Sequence, residues 1–216
     1  GYTRDPNCEN LLIKGCVFDG CKATLHNNDN GAGMCIKSGG TVENCLFVNC
    51  LTESKGGGLY VEGAAKIRNC TFHNNTASVE TDAGANFAMA DNANIFVYNC
   101  VFTCGLGYLA NGINGDNNVY LKNTARAVNC HNCCSEVAFG TGGFVAEAGY
   151  AAPGVLDFTP MGGSGLVDKG DAATEFESLP IDLYGNPRVS GAAVDVGCAE
   201  FQQGPTAYGF SIEPCQ

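Results

Sequence analysis

Tryptophan is absent from this sequence of 216 residues, and histidine and methionine occur only three times each. Basic residues are also scarce: 11 Lys and Arg stand against 22 Asp and Glu, so the formal net charge is −11. Nucleic-acid binding needs a basic face, so no nucleic-acid partner is expected. No apolar stretch is long enough for a membrane span. No signal peptide is visible at Gly1, where the chain begins without Met, as a mature or trimmed product does.

Cysteine and glycine, by contrast, are abundant, with 14 and 30 residues. A large, even number of cysteines in a chain of this size indicates an oxidising compartment. We therefore expect a secreted protein, extracellular or at the cell surface, with disulfide bonds. Two alternatives stay open, namely reduced thiols packed in the core and a metal site. A zinc site needs two close cysteine pairs, and the segment 130–134 is the one dense stretch.

An internal repeat organises residues 8–135. Five segments share one cysteine, at spacings of 29, 25, 30 and 30 residues. The shared cysteines are Cys16, Cys45, Cys70, Cys100 and Cys130. The residues directly before them are Gly15, Asn44, Asn69, Asn99 and Asn129. Glycine and asparagine tolerate the left-handed backbone of a tight bend, so each repeat predicts an apolar strand, a bend and a second short strand. In four repeats that second strand carries Phe18, Phe47, Phe72 or Phe102.

Each repeat is predicted to be one coil of a parallel β-helix. One coil cannot bury its apolar face alone, whereas stacked coils can. A β-sandwich would not keep one residue type in one column over five periods, and a leucine-rich repeat needs several Leu per repeat. The predicted fold class is therefore all-β, a parallel β-helix solenoid of about five coils.

Short motifs add a resemblance to known repeats. The sequences GAGM at 31–34 and GGGL at 56–59, with the F-x-x-N of 72–75, resemble the repeats of polymorphic outer-membrane autotransporter passengers. More broadly, they resemble right-handed β-helix repeats, which implies a right-handed solenoid on a bacterial surface. Cys21 and Cys50 replace the Asn of that pattern, which suggests that cross-links were added to the same scaffold.

Disulfide bonds between adjacent coils are geometrically reasonable, because residues of one column lie within the Cα separation that a disulfide accepts. The preferred pairs are Cys8–Cys35, Cys16–Cys45, Cys21–Cys50, Cys70–Cys100, Cys104–Cys134 and Cys198–Cys215. Cys130 and Cys133 are left over, and the spacing leaves other connectivities open.

The periodicity stops near residue 140. The elements LVDKG at 166–170, DLYGNPR at 182–188 and VDVGCAE at 194–200 together resemble the choice-of-anchor Q module, which follows a β-helix in bacterial surface proteins. Cys198 stands where that family commonly has Ala. An open β-helix end exposes unpaired backbone, so we expect this region to be a cap. The predicted boundaries are 1–140 for the coils, 141–202 for the capping module and 203–216 for a tail.

Calcium is the one cofactor for which the sequence offers candidate ligands, since it prefers carboxylate and carbonyl oxygens. The candidates are Asp29, Asp116, Asp168, Asp182 and Asp195. The same residues suit Asn/Gly turns and structural pairing, so the sequence predicts no cofactor and Ca²⁺ stays open as an alternative.

No catalytic constellation is discernible. The three histidines, His26, His73 and His131, match no Ser-His-Asp or Cys-His arrangement. Carboxylates of the coils do not cluster as a polysaccharide lyase or hydrolase requires. We therefore predict a non-catalytic extracellular structural or adhesive protein. The alternative is a carbohydrate-active β-helix enzyme of one of those two classes.

The tail carries Tyr208, Phe210 and Ile212 in strand-like alternation. An uncapped N-terminal end of a β-helix is a template for another chain, and head-to-tail contacts give open filaments. We expect self-association into a filament or surface layer through this end and the tail. The alternatives are that earlier coils were removed, that residues 1–7 fold over the end, or that the tail folds back on its own solenoid. Cell-surface glycans are the other expected partner.

Overall fold

The computed structural model describes residues 2–3, 11–24, 29–78, 84–107, 119–120, 130–135, 138–171 and 180–204. Over these residues the chain forms an all-β solenoid, in which the strands of successive coils pair in parallel and in register. The described part contains no helix that is both long and apolar enough to cross a membrane.

The strands are short. In chain order they are β1 Tyr2–Thr3, β2 Leu12–Lys14, β3 Val17–Asp19, β4 Lys22–Ala23, β5 Met34–Ile36, β6 Gly39–Glu43, β7 Leu46–Val48, β8 Leu51–Thr52, β9 Leu59–Val61, β10 Ala64–Arg68, β11 Thr71–His73, β12 Thr76–Ala77, β13 Phe87–Met89, β14 Asn94–Tyr98, β15 Val101–Thr103, β16 Leu106–Gly107, β17 Val119–Tyr120, β18 Cys130–His131, β19 Tyr150–Ala152 and β20 Asp157–Pro160.

Four parallel sheets run along the solenoid. Sheet A is ordered β1-β5-β9-β13-β17, sheet B β18-β14-β10-β6-β2, sheet C β15-β11-β7-β3 and sheet D β16-β12-β8-β4. With four or five strands per sheet, the solenoid has slightly fewer complete coils than the five predicted. The predicted fold class is otherwise confirmed.

The interior is a continuous apolar column with a stack of phenylalanine rings. Phe18, Phe47, Phe72 and Phe102 lie in one register column of sheet C, and their ring centroids are 4.6–4.9 Å apart. The last three rings are fully buried, whereas Phe18, in the first coil, is only partly buried. The phenylalanines that recur in the sequence repeat therefore form one stack of rings.

A left-handed bend joins sheets B and C in every coil. The bend residues are Gly15, Asn44, Asn69, Asn99 and Asn132, with φ of 46–60°. Asparagine and glycine are the residues that tolerate this conformation, which explains their place in the repeat.

The fifth coil differs from the predicted alignment by three residues. Cys130 lies opposite Val97, in the inward-facing column, and Asn132 and Cys133 occupy the bend. The sequence contains Asn-Cys twice, at 129–130 and 132–133. A buried apolar residue is needed three positions before the bend cysteine, and Cys130 fills that position. The shared column is therefore Cys16, Cys45, Cys70, Cys100 and Cys133.

The glycines that precede β5 and β9 allow close packing between coils. A Cβ atom at Gly57 would lie 2.4 Å from the carbonyl oxygen of Thr76 and 2.6 Å from that of Ala85. Backbone atoms cannot yield by that amount, so the GGGL motif is a steric requirement of the stack.

Residues after the last coil first extend the stack and then turn to its side. Phe139 packs on Phe102 at 6.1 Å, and Phe144 forms a parallel bridge with Cys134. The antiparallel hairpin β19–β20 follows, with a 3₁₀ helix at Pro153–Val155 between its strands.

The described residues 156–171 and 180–199 cover part of the outer face of sheet C. Phe158 and Cys198 pack on Leu46 and Val48, and farther along Leu166 and Val196 pack on Val101. The region predicted to cap the end of the solenoid therefore lies mainly along its side. The physical reason is that the outer face of sheet C carries the apolar side chains of Leu46, Val48 and Val101, whose burial is favourable.

Side chains of the bend column fasten this region to the solenoid. Asn44 Nδ2 donates to the Ile181 carbonyl at 2.7 Å, and Asn99 Nδ2 donates to the Asp171 carbonyl at 3.2 Å. The Asn99 amide oxygen accepts from the Asp171 N–H at 2.8 Å. The amides of the repeat are thus docking groups for the C-terminal region.

Candidate functional site

The cysteine column consists of stacked thiols at the bend. Each of the five donates to the carbonyl two residues earlier, at 3.2–3.4 Å. From the second coil on, each also contacts a carbonyl of the preceding coil at 3.6–3.8 Å. Burial raises the pKa of Cys70 and Cys100 well above the usual range. The thiolate, which is the nucleophilic and metal-binding form, is therefore disfavoured in this column.

Twelve described cysteines are free thiols, and the described residues contain no disulfide bond. Three of the expected pairs are nevertheless neighbours in adjacent coils. These are Cys16–Cys45, Cys21–Cys50 and Cys70–Cys100. Their oxidation stays a prediction.

The other expected pairs differ in geometry. Cys134 lies opposite Val101, and its thiol donates to the Ala146 carbonyl at 3.6 Å, so it does not share a column with Cys104. Cys35 lies on the outward side of β5, and its partner Cys8 is outside the described residues. Cys215, the expected partner of Cys198, is also outside them.

Alkylation without reductant is expected to separate the cysteines by burial. Cys104, which is exposed, should react in the native protein, whereas the buried Cys45, Cys70 and Cys100 should not. Peptide mapping by mass spectrometry measures the reaction at each site, and Cys104→Ser is the control for its own peptide. If the predicted disulfide bonds form, Cys45, Cys70 and Cys100 should also resist alkylation in denaturant until a reductant is added, and their alkylation without reductant would contradict those bonds.

Two of the carboxylates considered for Ca²⁺ bind backbone N–H groups near the end of the described chain. Asp182 Oδ1 accepts from Tyr184 and Asn186 at 2.9 and 2.8 Å, and its Oδ2 accepts from the Glu200 N–H at 2.9 Å. Asp195 accepts from Asp168 at 2.8 Å and from Phe201 at 2.6 Å. These side chains hold turns together.

The remaining candidates do not assemble a site either. Asp168 Oδ1 accepts from the Ala193 N–H at 2.9 Å, and Asp29 contacts Thr52 through its backbone carbonyl at 2.6 Å. Asp116 lies outside the described residues. Within the described ranges no group of three or more His, Cys, Asp and Glu is arranged to hold a metal ion.

A buried arginine lies at the centre of this network. Arg188 Nη2 donates to the carbonyls of Asp195 and Gly197 at 2.9 and 2.7 Å. Glu200 accepts from the N–H groups of Ser190 and Asp195 at 3.2 and 3.0 Å. Burial raises the pKa of Glu200 to about 7 and also raises the pKa of Asp195, while Arg188 opposes both shifts.

The raised pKa of Glu200 predicts that the protein is more stable in mild acid than in base. At pH values between the ordinary pKa of a glutamate and about 7, Glu200 keeps its proton in the folded state and loses it in the unfolded state. The free energy of unfolding should therefore fall as pH rises through about 7, by at most about 3 kcal/mol from this group.

Urea titrations between pH 5 and 8 measure this change in the free energy of unfolding. Glu200→Gln should reduce the dependence of that free energy on pH. The exposed Glu53→Gln is the matched control and should keep the wild-type slope. An unchanged slope in the Glu200 variant would contradict the assignment.

A pocket of about 490 Å³ between sheet C and the C-terminal region includes His73, Thr103, Cys104, Glu147 and Tyr150. His73 Nδ1 lies 2.9 Å from the Thr103 hydroxyl, and burial lowers the pKa of His73. The sequence analysis did not predict that His73 lies next to Thr103 in this pocket. The repeat could have predicted it, because its register places His73 and Thr103 in one column.

Within the described ranges, the first coil has an edge that no strand covers, here called the open edge. Strands β2, β3 and β4 end their sheets, and no described strand pairs with their outer side. The Leu46 N–H donates to the Cys16 carbonyl and the Gly20 N–H to the Val48 carbonyl. Parallel pairing alternates, so the N–H groups of Val17 and Asp19 point to the open side.

Apolar surface accompanies this open edge. Val17 is 47% exposed, although Leu46 and Val101 in the same column are fully buried beneath the C-terminal region. The partly buried ring of Phe18 ends the phenylalanine stack. The expected self-association residues Tyr208, Phe210 and Ile212 lie outside the described residues.

A family model described as a right handed beta helix region matches residues 5–151. No curated protein and no solved structure matches the chain. The family match covers the coils and the start of the region that follows them.

Proposed function

Since the chain belongs to the right-handed β-helix family, we propose that it is a non-catalytic extracellular structural or adhesive protein that associates with copies of itself. The open edge of the first coil carries this proposal. It presents N–H groups that point away from the solenoid and an apolar column that continues into solvent. A further β-strand would accept hydrogen bonds from these N–H groups and cover the apolar column.

The tail of a second copy is the strand we assign to this edge. Tyr208, Phe210 and Ile212 alternate with small or polar residues, which suits a strand with one apolar face. Pairing of this kind is head-to-tail, so it builds an open filament or layer. The bacterial-surface setting implied by the two finer resemblances, to outer-membrane passengers and to the choice-of-anchor Q module, belongs to the same proposal.

The non-catalytic part of the proposal is supported by how the acidic groups are used. In the described ranges the buried carboxylates of Asp182, Asp195 and Glu200 accept backbone N–H groups. Activity screens on polyuronates and neutral glycans with Ca²⁺ present test it. Sustained turnover of any of them would replace this proposal with the carbohydrate-active enzyme.

Replacing Val17 with proline is expected to abolish association. Proline removes an N–H that points to the open side and makes no hydrogen bond to the residues that the structure describes, so the fold should be retained while pairing is blocked. Sedimentation velocity over a range of concentrations should show a monomer. Val17→Ala keeps the N–H and should still associate. Association of the proline variant at wild-type strength would refute the edge as the contact.

A further inference from the structure

The cysteine column places its five thiols in equivalent positions of successive coils. From the second coil on, each thiol contacts a carbonyl of the preceding coil at 3.6–3.8 Å. These carbonyls belong to one register row of sheet B, which consists of Ile13, Val42, Ile67 and Val97. Because the same contact recurs in every coil, the sulfur atoms repeat along the axis of the stack, and three consecutive sulfur atoms lie close to one line.

Each interior thiol of the column has a neighbour on both sides. Cys45 contacts Cys16 and Cys70, and Cys100 contacts Cys70 and Cys133. Strand spacing lies within the Cα separation that a disulfide accepts, so every adjacent pair can be cross-linked. Two such bonds leave one thiol over, and that thiol is Cys16, Cys70 or Cys133. The column therefore has several oxidised arrangements of the same composition.

Only one end of the column reaches solvent among the residues that the structure describes. Cys16 is partly exposed, whereas Cys45, Cys70, Cys100 and Cys133 are fully buried. A reagent in solvent therefore meets Cys16 first. Burial raises the pKa of Cys70 and Cys100 well above the usual range, so exchange past them should be slow, on the order of minutes to hours.

A second, shorter cysteine column provides a contrast. Cys21, Cys50 and Asn75 directly precede the paired strands β4, β8 and β12, so asparagine follows the two cysteines. The Asn75 amide oxygen accepts from the Cys50 N–H at 2.9 Å. A disulfide bond between Cys21 and Cys50 therefore has no third thiol next in line and cannot move along the stack.

We propose that the cysteine column is a thiol–disulfide relay that carries oxidation from Cys16 into the buried coils. The co-reactant is a low-molecular-weight disulfide. The Cys16 thiolate attacks one of its sulfur atoms, forms a mixed disulfide and releases one small thiolate. Cys45 then attacks the Cys16 sulfur, the Cys16–Cys45 bond forms, and the second small thiolate leaves. In sum, the column gives up two thiol protons and two electrons, and the small disulfide becomes two thiols.

Each further step moves the bond by one coil. The Cys70 thiolate attacks the Cys45 sulfur, and Cys16 leaves as a thiolate with the electron pair of the broken bond. The proton that Cys70 gives up is balanced by the one that Cys16 takes up, so the oxidation state of the column is unchanged. Attack by Cys100 on Cys70 then frees Cys45, and the exposed pair can be oxidised again. The relay thus cross-links coils that no reagent in solvent reaches, and it does not depend on the proposed self-association.

The test follows the reduced protein after addition of glutathione disulfide. Samples are quenched with acid, free thiols are alkylated with N-ethylmaleimide in denaturant, and linked peptides are mapped by mass spectrometry. Chymotrypsin suits the mapping, because Phe18 and Phe47 separate the cysteines of the two columns. The Cys21–Cys50 bond should stay where it forms.

In the cysteine column we expect the Cys16–Cys45 bond first and bonds of the buried thiols later. Cys16→Ser removes the entry of the relay, and Cys45→Ser removes its first acceptor. Each variant should slow the oxidation of Cys100 and Cys133 about tenfold or more. Circular dichroism checks the fold of both. Because Cys16 is partly exposed, its replacement keeps the test valid if Cys45→Ser weakens the fold.

Cys50→Ser is the matched control, since it removes a buried thiol from the same coil as Cys45 but from the shorter column. It should leave the oxidation rate of Cys100 and Cys133 unchanged. Equal rates in the wild type and in both column variants would show that the reagent enters by opening of the fold, which overturns the relay. Oxidation that stops at Cys16–Cys45, or a column that stays reduced, would overturn it as well.

Discussion

Replacing Phe72 with alanine should lower the free energy of unfolding by about 3–5 kcal/mol. The ring is fully buried and lies between those of Phe47 and Phe102, at 4.7 and 4.9 Å, with Phe87 at its edge. Neighbouring coils are fixed by their own backbone ladders, so the cavity cannot collapse. A loss of this size is a large part of the whole stability of a domain.

Urea unfolding followed by circular dichroism measures the effect. Phe96→Ala is the matched control, because it removes the same side chain from the outer face of the same solenoid. Its cost should stay within about 0.5 kcal/mol. If the two variants lost equal stability, the phenylalanine stack would not be the core of the fold.

Replacing Arg188 with methionine should cost a similar amount, about 3–5 kcal/mol at pH 8. Methionine keeps much of the length of the side chain but removes the donors to Asp195 and Gly197. It also leaves the buried carboxylate of Glu200 without the cation that favours its charged form. The region that covers sheet C should loosen first.

The reactivity of Cys198 reports on the loosening of this region, because Cys198 is fully buried and its N–H donates to the Thr71 hydroxyl at 3.0 Å. Its alkylation should become faster in the Arg188 variant and stay slow in the exposed control Lys169→Met. In a Glu200→Gln background the cost of removing Arg188 should shrink, because the uncompensated charge is gone. Independent, additive costs would contradict the coupling.

The repeat made most of the solenoid predictable. The bend residues and the phenylalanine column each follow from short-range chemistry that recurs every 25–30 residues. Where the repeat contained two Asn-Cys dipeptides, spacing alone could not choose between them. Packing decides between them, because the inward-facing column requires an apolar residue opposite Val97, and Cys130 occupies that position.

The path of the C-terminal region was not predictable in the same way. Its contacts join residues far apart in the sequence, such as Asn44 with Ile181, 137 positions apart, and Asn99 with Asp171, 72 positions apart. No periodicity of the sequence predicts these contacts. The outward side of sheet C held a usable signal, since Leu46, Val48 and Val101 are apolar on a side that would otherwise face water.

Hydrogen exchange of the first-coil amides at low and high protein concentration tests the proposed self-association most directly. The N–H groups of Val17 and Asp19 point to the open side, whereas the Gly20 N–H already donates to the Val48 carbonyl at 3.0 Å. We expect protection of the Val17 and Asp19 amides to increase with concentration, while protection of Gly20 stays constant. Exchange at Val17 and Asp19 that is independent of concentration, up to the highest attainable, would contradict assembly through this edge.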